Sequence, residues 1–368
     1  MEFLRRVDEE LDTLASSTGR RYNTITEAVN VAKMRLSKLR ESYVAEVMRR
    51  NKGENDSAPS LSQFHDIEIC MPYSLACNTT NLPAKIILLS LNGIQMLLDY
   101  GMVPSNYASE ILKGLHCVAT LNKYTSSIPE VQMKVLQLEL YLINFLSSSQ
   151  STMIDLNFDT VGAFLSLAMQ LSLNTSNTSL SVSSTALATV KQMFNVLLGI
   201  ANDDENQATD VRECIKLLID DLSLLLRNKS TKWLQDVKLS KDCVLDLIYD
   251  LISEWPHLFK TIFEFGESVR RNLFPAIVST LKSLHEDFII SINTKSRYSN
   301  TSNNAPGGTT IRTLKVARYF ILNFHEGEFT SEVQVIAALL LHSLRAEPGI
   351  ESRLDINIDE TGKMKNDE

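Results

Sequence analysis

His116-Cys117 sets two metal-ligating side chains next to each other, but a tetrahedral zinc site needs about four converging ligands. No second pair stands at a familiar spacing in the 368 residues. Cys70 and Cys77 lie too far apart for a Cys-x-x-Cys element, and Cys117, Cys214 and Cys243 complete an odd set of thiols with no repeated spacing. Such a set reads as buried thiols of a reducing compartment. The acidic runs Asp203-Asp204-Glu205 and Asp220-Asp221 offer oxygen ligands for a hard cation, and they read as solvated surface. Pro306-Gly307-Gly308 is a lone glycine pair in a Ser/Asn-rich loop, a weak signal for a phosphate cradle,. No GxGxxG, GxxxxGK[ST], HExxH, GxSxG or CxxC motif occurs,. The expectation is a chain with no catalytic, cofactor-binding or metal-binding residues, hence no enzyme, no cofactor and no small-molecule substrate.

One concentration of charge stands apart. Arg20, Arg21, Lys33, Arg35, Lys38, Arg40, Arg49, Arg50 and Lys52 crowd the N-terminal region of a chain whose net charge is -8. The overall acidity argues against a nucleic-acid partner. The local cluster is a candidate patch for an acidic protein or, weakly, for an anionic membrane surface. Its other reading is the solvated back of an amphipathic helix. The opening MEFLRRVDEELDTL is charged and amphipathic, unlike a signal or transit peptide,. The longest apolar runs, such as 86–98, fall short of the roughly 20 residues that span a bilayer.

These residues must be carried by helices. Leu4, Val7, Leu11 and Leu14 recur at spacings of three and four, which predicts a helix over 2–17,. A long helix follows over 22–50. Its residues Ile25, Val29, Leu36, Leu39, Tyr43 and Val47 form a heptad-like seam, a candidate for helix packing or for a dimer contact,. The composition of 51–60 predicts a linker. Further helices are predicted near 62–76, 84–100, 105–121, 130–147, 159–173, 182–200, 208–228, 240–254, 257–264, 267–284, 311–326 and 330–345. A polar, mobile loop is expected over 293–310. Period-two alternation and hairpin turns are absent.

The helices at 85–98, 135–146 and 185–198 are apolar nearly all round and resemble one another, and 314–324 reads as a later copy. An all-round apolar helix of sub-membrane length must be enclosed by other helices. A recurrence near 50 residues predicts stacked units that bury such helices only by stacking. The expected fold is therefore all-α, an armadillo/HEAT-like right-handed α-solenoid. Its expected division is a first repeat domain over 1–200, continuing repeats over 201–348 and a frayed tail over 349–368.

The stretch FLRRVDEELDTLASSTGRRYNTITEAVNVAKMRLSKLR (3–40) has a short helix, the junction Arg20-Arg21-Tyr22, then a long helix with Glu27-Ala28. It resembles the start of the Mon-two (monensin-sensitivity) family. Stretches 184–198, 245–283 and 311–348 are similar to later parts of that family, in order and at matching intervals. The family is related to the large Arf guanine-nucleotide exchange factors through a dimerisation/cyclophilin-binding (DCB) region and the homology region after it, without the exchange domain. The resemblance implies a non-catalytic trafficking scaffold, peripheral on trans-Golgi and endosomal membranes. It implies partners among Arf-like small GTPases, Dopey-family proteins and a flippase, with a homodimer as a further expectation. Family members are longer, so the chain is expected to be an N-terminal part. The alternative is a HEAT/armadillo adaptor of another class, such as a nuclear-transport or phosphatase scaffold.

Overall fold

The spacing of apolar residues becomes two layers of helices. The computed structural model describes residues 2–50, 66–122, 125–148, 158–173, 179–202, 207–295 and 308–345, and among them it contains helices and no strand. The chain divides into two compact units. The first comprises residues 1–215 with 232–239, and the second comprises 216–231 with 240–368.

In the first unit the helices are α1 (Glu2–Thr18), α2 (Asn23–Arg50), α3 (Ile67–Asn78), α4 (Ala84–Asp99) and α5 (Ala108–His116). They are followed by α6 (Pro129–Ser148), α7 (Phe158–Ser172), α8 (Leu180–Asn202) and α9 (Gln207–Leu226), which begins here and crosses into the second unit after Ile215. Helix α5 runs on as a π-turn over Cys117–Leu121. Helices α1, α4, α6 and α8 pack in succession as one layer, and α2, α3, α5 and α7 as the other. The pairs α1–α2, α3–α4, α5–α6 and α7–α8 cross between layers, the first in the opposite sense to the other three, while α2 and α3 follow one another within a layer. The three mutually similar apolar helices of the sequence are thus α4, α6 and α8, neighbours in one layer.

Local chemistry sets the boundaries. Asp66 caps α3 by accepting from the Glu68 backbone N–H at 2.9 Å,. Pro83 and Pro129 stand at helix starts, where a missing donor costs nothing,. Gly93 is demanded by packing, because a Cβ there would fall on the buried Tyr73 ring that joins α3 to α4.

The segment 232–239 belongs to the first unit because it is tied along α7. The Trp233 ring covers Gly162, where a Cβ would lie 2.8 Å from it, and its Nε1 donates to the Phe158 carbonyl at 3.1 Å. The Gln235 N–H donates to Ser166 Oγ at 2.8 Å, and Gln170 Nε2 donates to the Gln235 carbonyl at 2.9 Å. Residues 158, 162, 166 and 170 step by four and so form one stripe of α7.

The second unit contains the rest of α9, then α10 (Lys241–Glu254), α11 (Leu258–Thr261) and α12 (Phe263–Ser268). A π-turn over Val269–Leu273 leads into α13 (Phe274–Lys295), and α14 (Gly308–Asn323) and α15 (Thr330–Arg345) follow. Its core is aromatic: Phe274 meets Phe320 with ring centroids 4.6 Å apart, and Phe324 meets Phe320 at 5.1 Å and Phe329 at 5.2 Å.

The structure corrects several expectations. The helix expected over 257–264 is two short helices parted at Ile262, whose extended backbone breaks the run. The loop expected over 293–310 is helical at both ends, to Lys295 and from Gly308. Asp220-Asp221 is no solvated run: Asp221 is buried, and Asp220 accepts from Ser268 Oγ and, at 2.6 Å, from Asn272 Nδ2. The linker 51–60, Asp203-Asp204-Glu205 and the tail 349–368 lie outside the described residues.

Candidate functional site

Local acids pair three members of the predicted basic cluster, Lys33, Arg35 and Arg40. Lys33 Nζ lies 2.5 Å from Asp12 and 3.7 Å from Asp8 of α1, and Arg40 lies 3.4 Å from Asp8. The Asp12 hydrogen bond holds the Lys33 ammonium above its ordinary pKa. Arg35 reaches across to α3, with its Nε 3.0 Å from Asp66 and 2.6 Å from Glu68. Arg20, Arg21 and Lys38 are exposed and form no ion pair among the described residues, with Arg21 stacked over Tyr22 at 5.6 Å. Arg49 and Arg50 end α2, and Lys52 lies outside the described residues.

The seam of α2 divides in two. Ile25, Val29 and Leu36 are fully buried against α1 and α3. Leu39, Tyr43 and Val47 are only half-buried, with the Tyr43 ring edge-on to Phe3 at 6.1 Å. On the outside of the same helix pair, Val31 and Met34 of α2 and Ile67 and Met71 of α3 are exposed. Each couple sits on one face of its helix, and the Arg35 bridge to Asp66 and Glu68 fixes the start of α3 beside them,. Periodicity could not flag these four, because they fall between the charged positions of helices that already have a buried face.

A second feature went unseen in the sequence. The solvent-facing stripe of α4, α6 and α8 encloses a groove of about 590 Å³. Leu88, Gln137 and Ala188 line it at equivalent positions, three residues after Lys85, Lys134 and Thr185. Leu136 and Thr189 form buried floor, and Met133 and Leu140 are half-buried walls. The Lys134 ammonium stands in this groove, donates to Gln95 Oε1 and has no carboxylate in ion-pair contact among the described residues. Burial lowers its pKa, and the charge of Asp99 opposes that only in part. One turn deeper on α6, Glu139 is wholly buried with neither oxygen hydrogen-bonded among the described residues. Its pKa is driven well above the ordinary range by desolvation alone, which favours the neutral acid,.

The nucleophile and ligand candidates do not converge. His116 is exposed, whereas Cys117 is buried and its thiol approaches the Asn78 carbonyl at 3.7 Å. Burial pushes the Cys70 and Cys214 thiols up to about 12, and raises Cys77 and Cys117 as well, so these sulfurs are protonated and unreactive,. Among the described residues, no group of three His, Cys, Asp or Glu side chains could hold a metal ion, and no helix is long and apolar enough to cross a membrane.

A helical surface that is rich in exposed methionine, holds no converged chemistry and is followed by stacked pairs is what a protein-binding domain presents. The Mon2/Sec7/BIG1-like dimerisation and cyclophilin-binding (DCB) domain matches residues 1–204. The chain belongs to this family. The matched span takes in α1 through α8. No curated protein matches the chain. The domain is one of protein association, so a protein partner and a scaffold role in trafficking follow from membership.

Proposed function

We propose that this chain is a non-catalytic scaffold of Golgi and endosomal trafficking that self-associates through the outer face of α2 and α3. The supporting observation is the exposure of Met34 (60%), Met71 (45%), Ile67 (44%) and Val31 (38%) on two adjoining helices of a dimerisation domain. Methionine adapts its shape to a partner surface. The Arg35–Asp66–Glu68 bridge supplies a polar border of the kind that rims an interface,. A two-fold contact would bring each stripe against its own copy.

The same reading makes the family's wider partners proposals for this chain: an Arf-like small GTPase, a Dopey-family protein and flippase-linked assemblies on trans-Golgi and endosomal membranes. Direct contact with anionic lipid would be weak. It would fall to Arg20, Arg21 and Lys38, the described members of the cluster that local acids leave unpaired.

Sedimentation at micromolar concentration tests the dimer. The parent should sediment as a dimer, and a Met34→Asp/Met71→Asp protein as a monomer with an unchanged circular-dichroism spectrum. A monomeric parent, or a variant that still dimerises, would remove this interface from consideration.

A further inference from the structure

We propose that the α4–α6–α8 groove binds an extended peptide of a partner protein in which an acidic side chain stands between apolar ones. The carboxylate would pair with Lys134, and the apolar neighbours would rest on Leu88, Met133, Leu136 and Leu140. This surface is distinct from the α2–α3 face and does not depend on it.

Three observations carry the proposal. The first is repetition. Each of three successive helices sets an exposed side-chain amide in the groove: Asn92 from α4 and Gln192 from α8 at matching positions, and Gln137 from α6 one turn earlier. None of the three makes a hydrogen bond among the described residues. An amide offers both donors and an acceptor, which suits the alternating N–H and C=O groups of a peptide backbone. Packed helices lie roughly 8–10 Å apart, and an extended chain rises about 3.3 Å per residue. A peptide crossing from α4 to α8 would therefore pass one amide about every three residues and span some six in all.

The second observation is charge. Lys134 is a half-buried ammonium whose partner is an amide oxygen rather than a carboxylate. Glu130, one turn earlier on α6, also lines the groove but is exposed, and the two are not ion-paired. A charge already stripped of part of its water gains more from a counter-ion than an exposed one does. The groove accordingly favours an anionic side chain over a cationic one. The third observation is the lining itself. Four aliphatic or methionine side chains, one of them floor, give the residues on either side of the acid somewhere to be buried,.

A phage-displayed library of random nonapeptides selected on the full chain tests this. Enriched sequences should carry Asp or Glu next to Leu, Ile or Met. The affinity of the best synthetic peptide, read by fluorescence anisotropy, should fall about tenfold or more on Lys134→Gln, since a charge-assisted bond is lost. It should fall equally when the peptide's acid becomes its amide, and the two changes together should cost little more than either alone. Gln137→Ala should weaken every selected peptide by a few fold, whatever its side chains. Gln137 is exposed and Lys134 half-buried at the groove surface, and the melting temperatures of both variants should match the parent. The proposal is overturned by selection that yields nothing above empty beads, by enrichment of basic or acid-free peptides, or by binding that Lys134→Gln leaves unchanged.

Discussion

Helices α2 and α6 both carry charges, and they treat them in opposite ways. On α2 three of the cations, Lys33, Arg35 and Arg40, lie near the surface and are answered by Asp8, Asp12, Asp66 and Glu68. On α6 two charged residue types stand inside a helix that is apolar nearly all round, and neither has an ionic partner: Lys134 in the groove and Glu139 in the core. The lesson concerns magnitude. A surface pair contributes roughly 0–1 kcal/mol in water. A buried polar group without partners costs about 1–3 kcal/mol and moves its own pKa. The conspicuous cluster is thus energetically minor, and the inconspicuous pair is where electrostatics shapes the molecule.

The hardest blow to this contrast is a second acid in α6. Leu138 is fully buried beside Glu139. Leu138→Asp would remove packed aliphatic volume and place a second carboxyl in surroundings that already disfavour the charged form of one,. The expected loss is about 4 kcal/mol or more, read as a large fall in the urea midpoint. A variant that unfolds with the parent would mean that α6 is not enclosed.

The second test removes the acid already there. Glu139→Leu should stabilise the chain by about 1–3 kcal/mol at neutral pH, because two unpartnered oxygens leave the core and helix propensity hardly changes. The pH dependence gives the sign. Burial raises the folded-state pKa of Glu139 above the ordinary value of about 4.5. The native state then holds its proton more tightly than the unfolded chain does. The contribution of Glu139 is fully present below about pH 4.5 and is lost as pH climbs through the raised value. The advantage of the leucine variant should therefore grow as pH climbs above about 4.5 and shrink at the acid end,. An advantage independent of pH would show that the carboxyl is not buried as a neutral group.

Most helices were legible in the sequence though not all their ends, as where 267–284 continues to Lys295, and Leu4, Val7, Leu11 and Leu14 are all buried as their spacing of three and four requires,. The likeness of α4, α6 and α8 was legible too, and the structure makes them neighbours in one layer. The Trp233 strap was not. Its partners Phe158, Gly162, Ser166 and Gln170 lie 65–75 residues away, and a contact that depends on a missing Cβ and one hydroxyl leaves no periodic trace. The groove was missed for a related reason. Periodicity reports which face is buried, and the groove is built from the faces that are not. Glu139 reads as a polar break in an apolar helix, and only the enclosure of α6 on its other sides reveals that the residue has no route to water. The ion pairs of α2 were hidden because their acids sit on α1 and at the start of α3, so summing the cations alone does not show which of them are paired.

The smallest effects sharpen the contrast from the α2 side. Lys33→Ala, Arg35→Ala and Arg40→Ala should each cost under about 1 kcal/mol, since every one of these pairs keeps part of its surface in water, as Arg35 does with 46% of its side chain exposed,. The cost should shrink further in high salt, where the Debye length falls to about 3 Å at 1 M. Lipid binding should separate the same cations by their pairing. An ammonium already held by Asp12 must give up that bond to reach a phosphate headgroup, whereas Arg20, Arg21 and Lys38 give up nothing but water. Each free cation at an anionic surface is worth about 1 kcal/mol, so the three together amount to marginal, salt-sensitive attachment. Liposome flotation should therefore drop on changing Arg20, Arg21 and Lys38 to Glu, and change little on replacing Lys33, Arg35 and Arg40 with Ala. The reverse ranking would mean that the surface acids release their partners at the membrane. Pairing in solution would then be a poor guide to which side chains meet lipid.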